Sequence, residues 1–181
     1  MKTKSPYLKV IIVNGRPGVG KTTFEDFCQE IMGQVLVKKR STIDIIKEIA
    51  SNYGWNGQKT PRDRKFLSDL KDLFSNYNNL PHKDIENYIE NWEDDLALRG
   101  LYNRPHILFV DSREPEDIQK LKDEFEGMSL LIRRPGDEEI ETSNHADEDV
   151  FKSSYDFIVY NNGTVFELKQ KAMAFIKWIF S

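Results

Sequence analysis

The chain has 181 residues, of which 39% are hydrophobic and 31% are charged, and its formal net charge is −4. This composition is typical of one globular domain and argues against a protein that binds nucleic-acid backbones through a broad basic surface. A single cysteine, Cys28, excludes an internal disulfide, and no stretch approaches the ~20 apolar residues of a membrane span. We therefore expect one cytoplasmic domain over residues 1–181, with neither a nucleic acid nor a membrane as its partner.

The first predicted strand, at the apolar run Val10–Val13, leads directly into a glycine-rich loop. The sequence GRPGVGKT, from Gly15 to Thr22, fits the phosphate-binding pattern G-x-x-x-x-G-K-[ST] at every fixed position. In this pattern, loop amides and a helix N terminus surround phosphates, the lysine adds a positive charge and the hydroxyl can bind Mg²⁺. The predicted ATP-binding residues are Gly15, Arg16, Pro17, Gly18, Val19, Gly20, Lys21, Thr22 and Thr23. A glycine-rich turn that binds no ligand is the alternative.

Helical spacing and short apolar runs predict the next elements. A helix after the loop has an apolar face and ends at Gly33, and a short second strand follows over Gln34–Val37. The predicted inward residues of the helix are Phe24, Phe27, Cys28, Ile31 and Met32. The basic run Lys38-Lys39-Arg40 is expected at the carboxyl end of the second strand, where ligands usually bind in open α/β sheets.

Three helices are predicted between the second and third strands, as an insertion over about residues 41–100. Ser41 is expected to cap the first, Thr60 and Pro61 to begin the second, and Gly100 to close the third. Their predicted inward residues are Ile43, Ile46, Ile49, Ala50 and Tyr53, then Phe66, Leu67, Leu70, Leu73, Phe74 and Tyr77, and then Ile85, Ile89, Trp92 and Leu96.

The third predicted strand, His106–Val110, is apolar throughout and ends in Asp111, as in a central parallel strand that is buried on both faces. Asp111 could hold Mg²⁺ opposite Thr22, or it could cap a helix. Arg113 is placed to bind the phosphate of an acceptor, or to form a surface ion pair. Because Ser112 replaces the glutamate that often activates water in ATPases, ATP hydrolysis is less favoured.

The remaining elements complete an alternating pattern of strands and helices. A helix is predicted over Pro115–Glu126, strands over Met128–Ile132 and Tyr155–Tyr160, and a last helix that Thr164 and Glu167 cap reciprocally. The whole predicts an α/β fold, a doubly wound five-stranded parallel sheet flanked by helices.

Residues 133–149 follow the fourth predicted strand. They begin with Arg133 and Arg134 and continue as an acidic segment. Its few apolar residues suit a lid or a solvated surface loop. An arginine from a lid can neutralise charge on a transferred phosphoryl group. We favour Arg133 over Arg134 for this role.

The cations of the helical insertion are candidates for binding an acceptor phosphate. Lys47, Arg64 and Lys71 are predicted to do so, although a helical lysine is usually solvated. Asn162, in the turn after the fifth strand, could contact adenine, or serve only the turn.

Three segments together resemble the nucleoside monophosphate kinase group of P-loop kinases. They are GRPGVGKT, FVDSREPEDI (109–118) and the tail from NHADED (144–149) to DFIVYNNGTVFEL (156–168). More narrowly, the chain looks like phage-type deoxynucleoside monophosphate kinases and their phosphomevalonate kinase relatives. The resemblance implies that Lys21 and Thr22 serve the donor phosphates and Mg²⁺, Arg113 the acceptor, Arg133 the transferred phosphoryl group, and the Asn162 turn the adenine. The middle of the chain matches no motif, and the Asp-Gly-Phe-Pro-Arg element of adenylate kinases is missing.

The expected activity is transfer of the γ-phosphoryl group of ATP, with Mg²⁺, to a small phosphorylated acceptor such as a (deoxy)nucleoside monophosphate. The alternative is a nucleotide-gated P-loop ATPase or binding protein that acts on a macromolecular partner.

Overall fold

A computed structural model describes residues 5–136, 150 and 154–181. The strands are β1 (Leu8–Asn14), β2 (Val37–Ser41), β3 (His106–Asp111), β4 (Met128–Arg133) and β5 (Phe157–Tyr160). The helices are α1 (Lys21–Met32), α2 (Asp44–Asn52), α3 (Pro61–Asn78), α4 (Leu80–Leu98), α5 (Pro115–Phe125) and α6 (Val165–Ile179).

The five strands form one parallel sheet in the order β2-β3-β1-β4-β5. Every strand therefore ends at the same edge of the sheet, and the helices cross back between them. The doubly wound fold class predicted from the sequence is confirmed, as are the three helices between β2 and β3.

Alternation along the central strands supplies two separate cores, one on each face of the sheet. In β1, Ile11 and Val13 pack into the core beneath α1 and α6, whereas Val10 and Ile12 pack against α4 and α5. All four side chains are at most 3% exposed. Apolar burial on both faces is what made these strands recognisable as continuous hydrophobic runs.

The second strand differs from its predicted bounds, Gln34–Val37. The carbonyl of Gly33 accepts hydrogen bonds from the amides of Leu36 and Val37, so the chain is still turning where a strand was expected. The strand begins at Val37, and the basic run lies inside it instead of beyond its end. Charged residues are tolerated there because β2 is at an edge of the sheet.

The start of α2 also differs from the prediction, because Ser41 belongs to β2 and does not cap the helix. Instead, the Asp44 carboxylate in the first turn accepts a hydrogen bond from the Ser41 amide at 2.8 Å. The capping boxes of Thr60 with Asp63 and of Thr164 with Glu167 are present. The second of these was predicted from the sequence.

The apolar face predicted for α3 is largely not buried. Phe66, Leu73 and Tyr77 are 45%, 62% and 82% exposed, and Lys71 is the one buried residue of the helix. The reason is that α3 packs against α2 and α4, outside the layers that cover the sheet. Ile31 and Tyr53, also predicted to point inward, are exposed as well.

The last strand is shorter than predicted and begins at Phe157. Asp156, just before it, accepts hydrogen bonds from the Ser129 amide and hydroxyl at 2.7 and 2.8 Å, which ties this end of the strand to β4. Of the predicted lid, residues 133–136 are described and residues 137–149 lie outside the described part of the chain.

Candidate active site

Three segments that carry predicted site residues meet at the carboxyl edge of the sheet. The glycine-rich loop follows β1, Asp111 ends β3, and Arg133 ends β4. Because β1 lies between β3 and β4, the loop is flanked on both sides, and Asp111 is the direct register partner of Val13. This edge is where open α/β sheets bind their ligands.

The shape of the loop depends on glycine at both of its ends. Gly15 and Gly20 have φ angles of +144° and +103°, which side chains other than glycine rarely adopt. A Cβ atom at Gly15 would overlap the Ile132 carbonyl, and one at Gly20 would lie 2.6 Å from Asn161 Nδ2. The loop is therefore packed tightly between β4 and the turn after β5.

Lys21, the first residue of α1, lies over the loop. Its Nζ donates hydrogen bonds to the carbonyls of Gly15 at 2.6 Å and Arg16 at 3.1 Å. The ammonium group and the N terminus of α1 thus bring positive charge to the same loop. This arrangement fits the polyphosphate of a nucleotide, which needs amide donors and a neighbouring cation.

Asp111 and Thr22 would hold the Mg²⁺ that accompanies such a nucleotide, since carboxylate and hydroxyl oxygens are the ligands this ion prefers. Asp111 is partly buried, and Thr22 is exposed in the first turn of α1. Burial raises the pKa of Asp111, and the positive charge of Lys21 opposes that shift. A bound divalent cation would favour the ionised carboxylate further.

Glu25 carries a buried carboxyl group near the loop, and it was not among the site residues predicted from the sequence. Its side chain is 2% exposed and lies 3.8 Å from Lys39 Nζ. Burial and the neighbouring Asp111 carboxylate raise the pKa of Glu25 to about 8. A signal was available, because Glu25 lies four residues after Lys21 and three before the buried Cys28, and so on the same face of α1.

The predicted arginines lie on both sides of the loop. Arg113 is exposed, and its carbonyl accepts a hydrogen bond from Asn14 Nδ2 at 3.3 Å. Arg133 is partly buried, and its carbonyl accepts a bond from the Asn161 amide at 2.7 Å. Arg134 is exposed and follows the strand.

Lys71, predicted to bind an acceptor phosphate, forms ion pairs within the fold. Its Nζ donates to Asp117 Oδ2 at 2.6 Å and to Glu114 Oε2 at 2.9 Å, and its side chain is 9% exposed. Burial by itself would lower the pKa of Lys71, but the two carboxylates raise it. The charge is therefore neutralised within the fold, between α3 and the start of α5.

Lys71 belongs to what we call the ion cluster: Lys71, His82 and Asp117, with Glu114 and Glu124 at its border. His82 Nδ1 lies 3.0 Å from Glu124 Oε2, and its Nε2 lies 3.8 Å from Asp117 Oδ1. The neighbouring carboxylates of Asp117 and Glu124 raise the pKa of His82. Burial alone would raise the pKa of Asp117, but His82 and Lys71 together lower it. The cluster joins α3, α4 and α5.

The other two residues of the insertion that were predicted to bind the acceptor phosphate have local partners. Lys47 Nζ lies 3.0 Å from Asp44 Oδ1 in the same helix, and Arg64 Nε donates to the Lys59 carbonyl at 3.2 Å. Arg64 is exposed. Neither contact connects these residues to the loop after β1.

In the turn after β5, Asn161 contacts the glycine-rich loop. Asn162, the neighbouring residue, is the one predicted from the sequence to contact adenine. Asn161 Nδ2 donates to the Val19 carbonyl at 2.9 Å. Asn162 is exposed, and its Oδ1 accepts a bond from Lys171 Nζ at 2.9 Å. Asn161 thus supports the loop from outside.

No protein-family model and no curated protein matches the sequence. Among solved structures, the chain is similar to shikimate kinase from Aquifex aeolicus, with 11% identity and a TM-score of 0.48 over 93% of this chain and 96% of that one. It is also similar to thymidylate kinase from Ehrlichia chaffeensis, with 12% identity and a TM-score of 0.44 over 93% of this chain and 98% of that one. A third similar structure is APS kinase from Mycobacterium tuberculosis, with 10% identity and a TM-score of 0.43 over 93% of this chain and 96% of that one. At these values the similarities identify no substrate.

Within the described residues, no helix combines the length and apolar character needed to cross a membrane.

Proposed function

We propose that this protein is a Mg-ATP-dependent phosphotransferase that moves the γ-phosphoryl group of ATP to a small phosphorylated acceptor, a (deoxy)nucleoside monophosphate by resemblance. The observation that carries the proposal is the position of Arg113. It follows Asp111 by two residues, and the Asn14 side chain connects its backbone to the phosphate loop. A cation beside a donor-phosphate loop suits a second phosphate.

In this proposal, the residues of the loop and Lys21 bind and orient the donor phosphates. Arg113 binds the acceptor phosphate, and Arg133 neutralises charge on the group in transfer. Asp111 and Thr22 hold Mg²⁺, which when bound would neutralise charge on the donor phosphates. The chain has no need of a nucleophilic side chain, because an oxygen of the acceptor phosphate attacks the phosphoryl group.

The three proteins reported above are named as kinases, but their TM-scores lie below 0.5, so they carry no argument about the acceptor of this chain. They do not agree on one acceptor. The nucleoside monophosphate therefore rests on the sequence motifs of residues 109–118 and 156–168, and Lys47 and Arg64 remain proposed contacts for it.

A nucleotide-gated ATPase or binding protein with a macromolecular partner is the second candidate. The exposed apolar side chains of α3, Phe66, Leu73 and Tyr77, favour it, because such a face suits a protein partner. The residue after Asp111 counts against it, since Ser112 cannot activate water as a glutamate can.

One assay separates the two candidates. ADP formation is measured with a panel of nucleoside monophosphates, with phosphomevalonate, and with no acceptor, and the Lys21→Ala variant serves as the inactive control. We expect one acceptor, or a small group of them, to raise ADP formation far above the rate without acceptor. Equal ADP formation with and without acceptors would instead establish the ATPase.

A second measurement tests the position of Arg113. In Arg113→Ala, we expect the KM for the acceptor to rise much more than the KM for ATP, because the loop that binds the donor is unchanged. An equal rise in both would show that Arg113 does not bind the acceptor.

A further inference from the structure

The side chain of Asn14 connects segments that otherwise meet only at the edge of the sheet. Asn14 is the last residue of β1 and is 1% exposed. Its Oδ1 accepts a hydrogen bond from the Gly15 amide at 2.7 Å, and its Nδ2 donates to the Arg113 carbonyl at 3.3 Å. The amide group of Asn14 thus bonds both to the first residue of the glycine-rich loop (residues 15–22), called the donor loop below, and to the backbone of Arg113, the proposed contact for the acceptor phosphate.

Tyr155 extends this connection. Asn14 Nδ2 also donates to the Tyr155 hydroxyl at 2.8 Å, and that hydroxyl donates to the Val150 carbonyl at 2.7 Å. Val150 is fully buried, and the Tyr155 ring packs against the core on the α4 and α5 face of the sheet. Tyr155 and Val150, which precede β5 in the sequence, are therefore connected to the same amide.

The sheet by itself does not require a polar residue at this position. Val10 and Ile12 precede Asn14 at two-residue spacing and pack into the core on that same face. A buried amide in place of a hydrophobic residue is costly unless its polar atoms are all bonded. Here the bonds go to the loop and to the two segments beside it.

We propose that Asn14 and Tyr155 form a positioning pair that fixes the donor loop relative to Arg113. The inference rests on the proposed phosphoryl transfer, for which the donor and acceptor phosphates must be held in line. Holding the Arg113 carbonyl fixes the backbone from which its guanidinium group extends. A displacement of about 1 Å between reacting groups can lower a rate by about 10²-fold.

Two variants remove these connections to different extents. Asn14→Asp keeps an oxygen that can accept from the Gly15 amide but lacks the donor to Arg113 and Tyr155. Tyr155→Phe keeps the ring and loses only the hydroxyl. Ser129→Ala is the matched control, because it also removes side-chain hydrogen bonds, but at the amino-terminal ends of the strands. The Ser129 hydroxyl donates to the Asp156 carboxylate and accepts from the Asp156 amide.

With both substrates saturating, we expect Asn14→Asp to lower kcat about tenfold or more. Its carboxylate adds a negative charge beside the loop, so its Kd for Mg-ATP should rise as well. Tyr155→Phe adds no charge, and its Kd for Mg-ATP should change less than about threefold. Tyr155→Phe should lower kcat by a smaller factor, about threefold, because Asn14 keeps its hydrogen bonds to Gly15 and to the Arg113 carbonyl. Ser129→Ala should be destabilised without loss of kcat. An equal loss of kcat in Ser129→Ala, or a Kd for Mg-ATP that rises in Tyr155→Phe in parallel with its loss of kcat, would overturn the proposal.

Hydrogen–deuterium exchange gives a readout that needs no acceptor. In the wild-type protein, Mg-ATP should slow amide exchange in residues 112–116 as well as in residues 15–22. In Asn14→Asp the slowing should be confined to residues 15–22. If wild type and variant show the same protection at 112–116, the positioning pair is refuted, whatever the outcome of the kinase assay. If the coupling is present and the acceptor panel is inactive, only the proposed function fails.

Discussion

Replacing Lys71 with methionine tests whether this residue serves the fold or the acceptor. Methionine keeps the apolar length of the side chain and removes the charge that neutralises Asp117 and Glu114. Breaking a buried ion pair from one side costs about 3–5 kcal/mol. The side chains of Lys71 and Asp117 are 9% and 13% exposed, whereas Glu114 is 43% exposed and can be partly rehydrated. We therefore expect a loss near the lower end, about 3 kcal/mol.

Urea unfolding and thermal melting measure this loss directly. For a chain of this length, it corresponds to a melting temperature lower by roughly 10 °C. Lys65→Met is the control on the same helix. Its ion pair with Asp69 has side chains 76% and 61% exposed, so we expect a change below about 0.5 kcal/mol.

A double variant distinguishes the ion cluster from general damage to α3. Adding Asp117→Asn to Lys71→Met removes the uncompensated charge, so the double variant should be more stable than the sum of the two single losses predicts. The reasoning is refuted if Lys71→Met melts like the wild type while its KM for the acceptor rises by more than about tenfold. That result would place Lys71 at the acceptor after all.

Three further predictions concern stability and reactivity. The pKa of His82 is raised in the fold, so its positive charge should stabilise the protein fully below about pH 6.5, and this stabilisation should be lost as the pH rises through the folded pKa. The difference in unfolding free energy between wild type and His82→Gln should therefore shrink from about pH 6 to about pH 9. Gly20→Ala should cost about 1–3 kcal/mol in urea unfolding, because Cβ would meet Asn161 at a positive φ, whereas Gly18→Ala, with open space around it, should cost less. Burial raises the pKa of the Cys28 thiol to about 12, so a disulfide reagent should modify it about 10²-fold more slowly in the native protein than in urea; equal rates would show an accessible thiolate.

Local patterns predicted the parts of the fold that depend on local or strongly apolar sequence. The glycine-rich turn after β1, the buried strand predicted over His106–Val110 and the capping box at Thr164 are present. In each case, nearby residues determine the conformation through positive φ angles, continuous apolar runs or a side chain that caps the next turn.

The structure differs from the sequence predictions where contacts between residues far apart in the chain determine which side chains are buried or paired. The apolar spacing of α3 predicts a buried face, but nothing in the spacing shows that α3 packs outside the layers that cover the sheet. The ion pairs of Lys71 were not predicted, because its two carboxylate partners lie more than forty residues away in the sequence. Asn14 was missed for the same reason, because its partners beyond Gly15 come from residues 99 and 141 positions later.

The placement of α3 has a consequence for how the chain can change. Because one of its eighteen residues is buried, most positions of the helix can be substituted without disturbing either core. The ion cluster anchors the helix, and the exposed side remains open to variation. A library randomised at the exposed α3 positions, with Lys71 kept, would thus retain folded members at high frequency. That surface could then be redesigned independently of the glycine-rich loop.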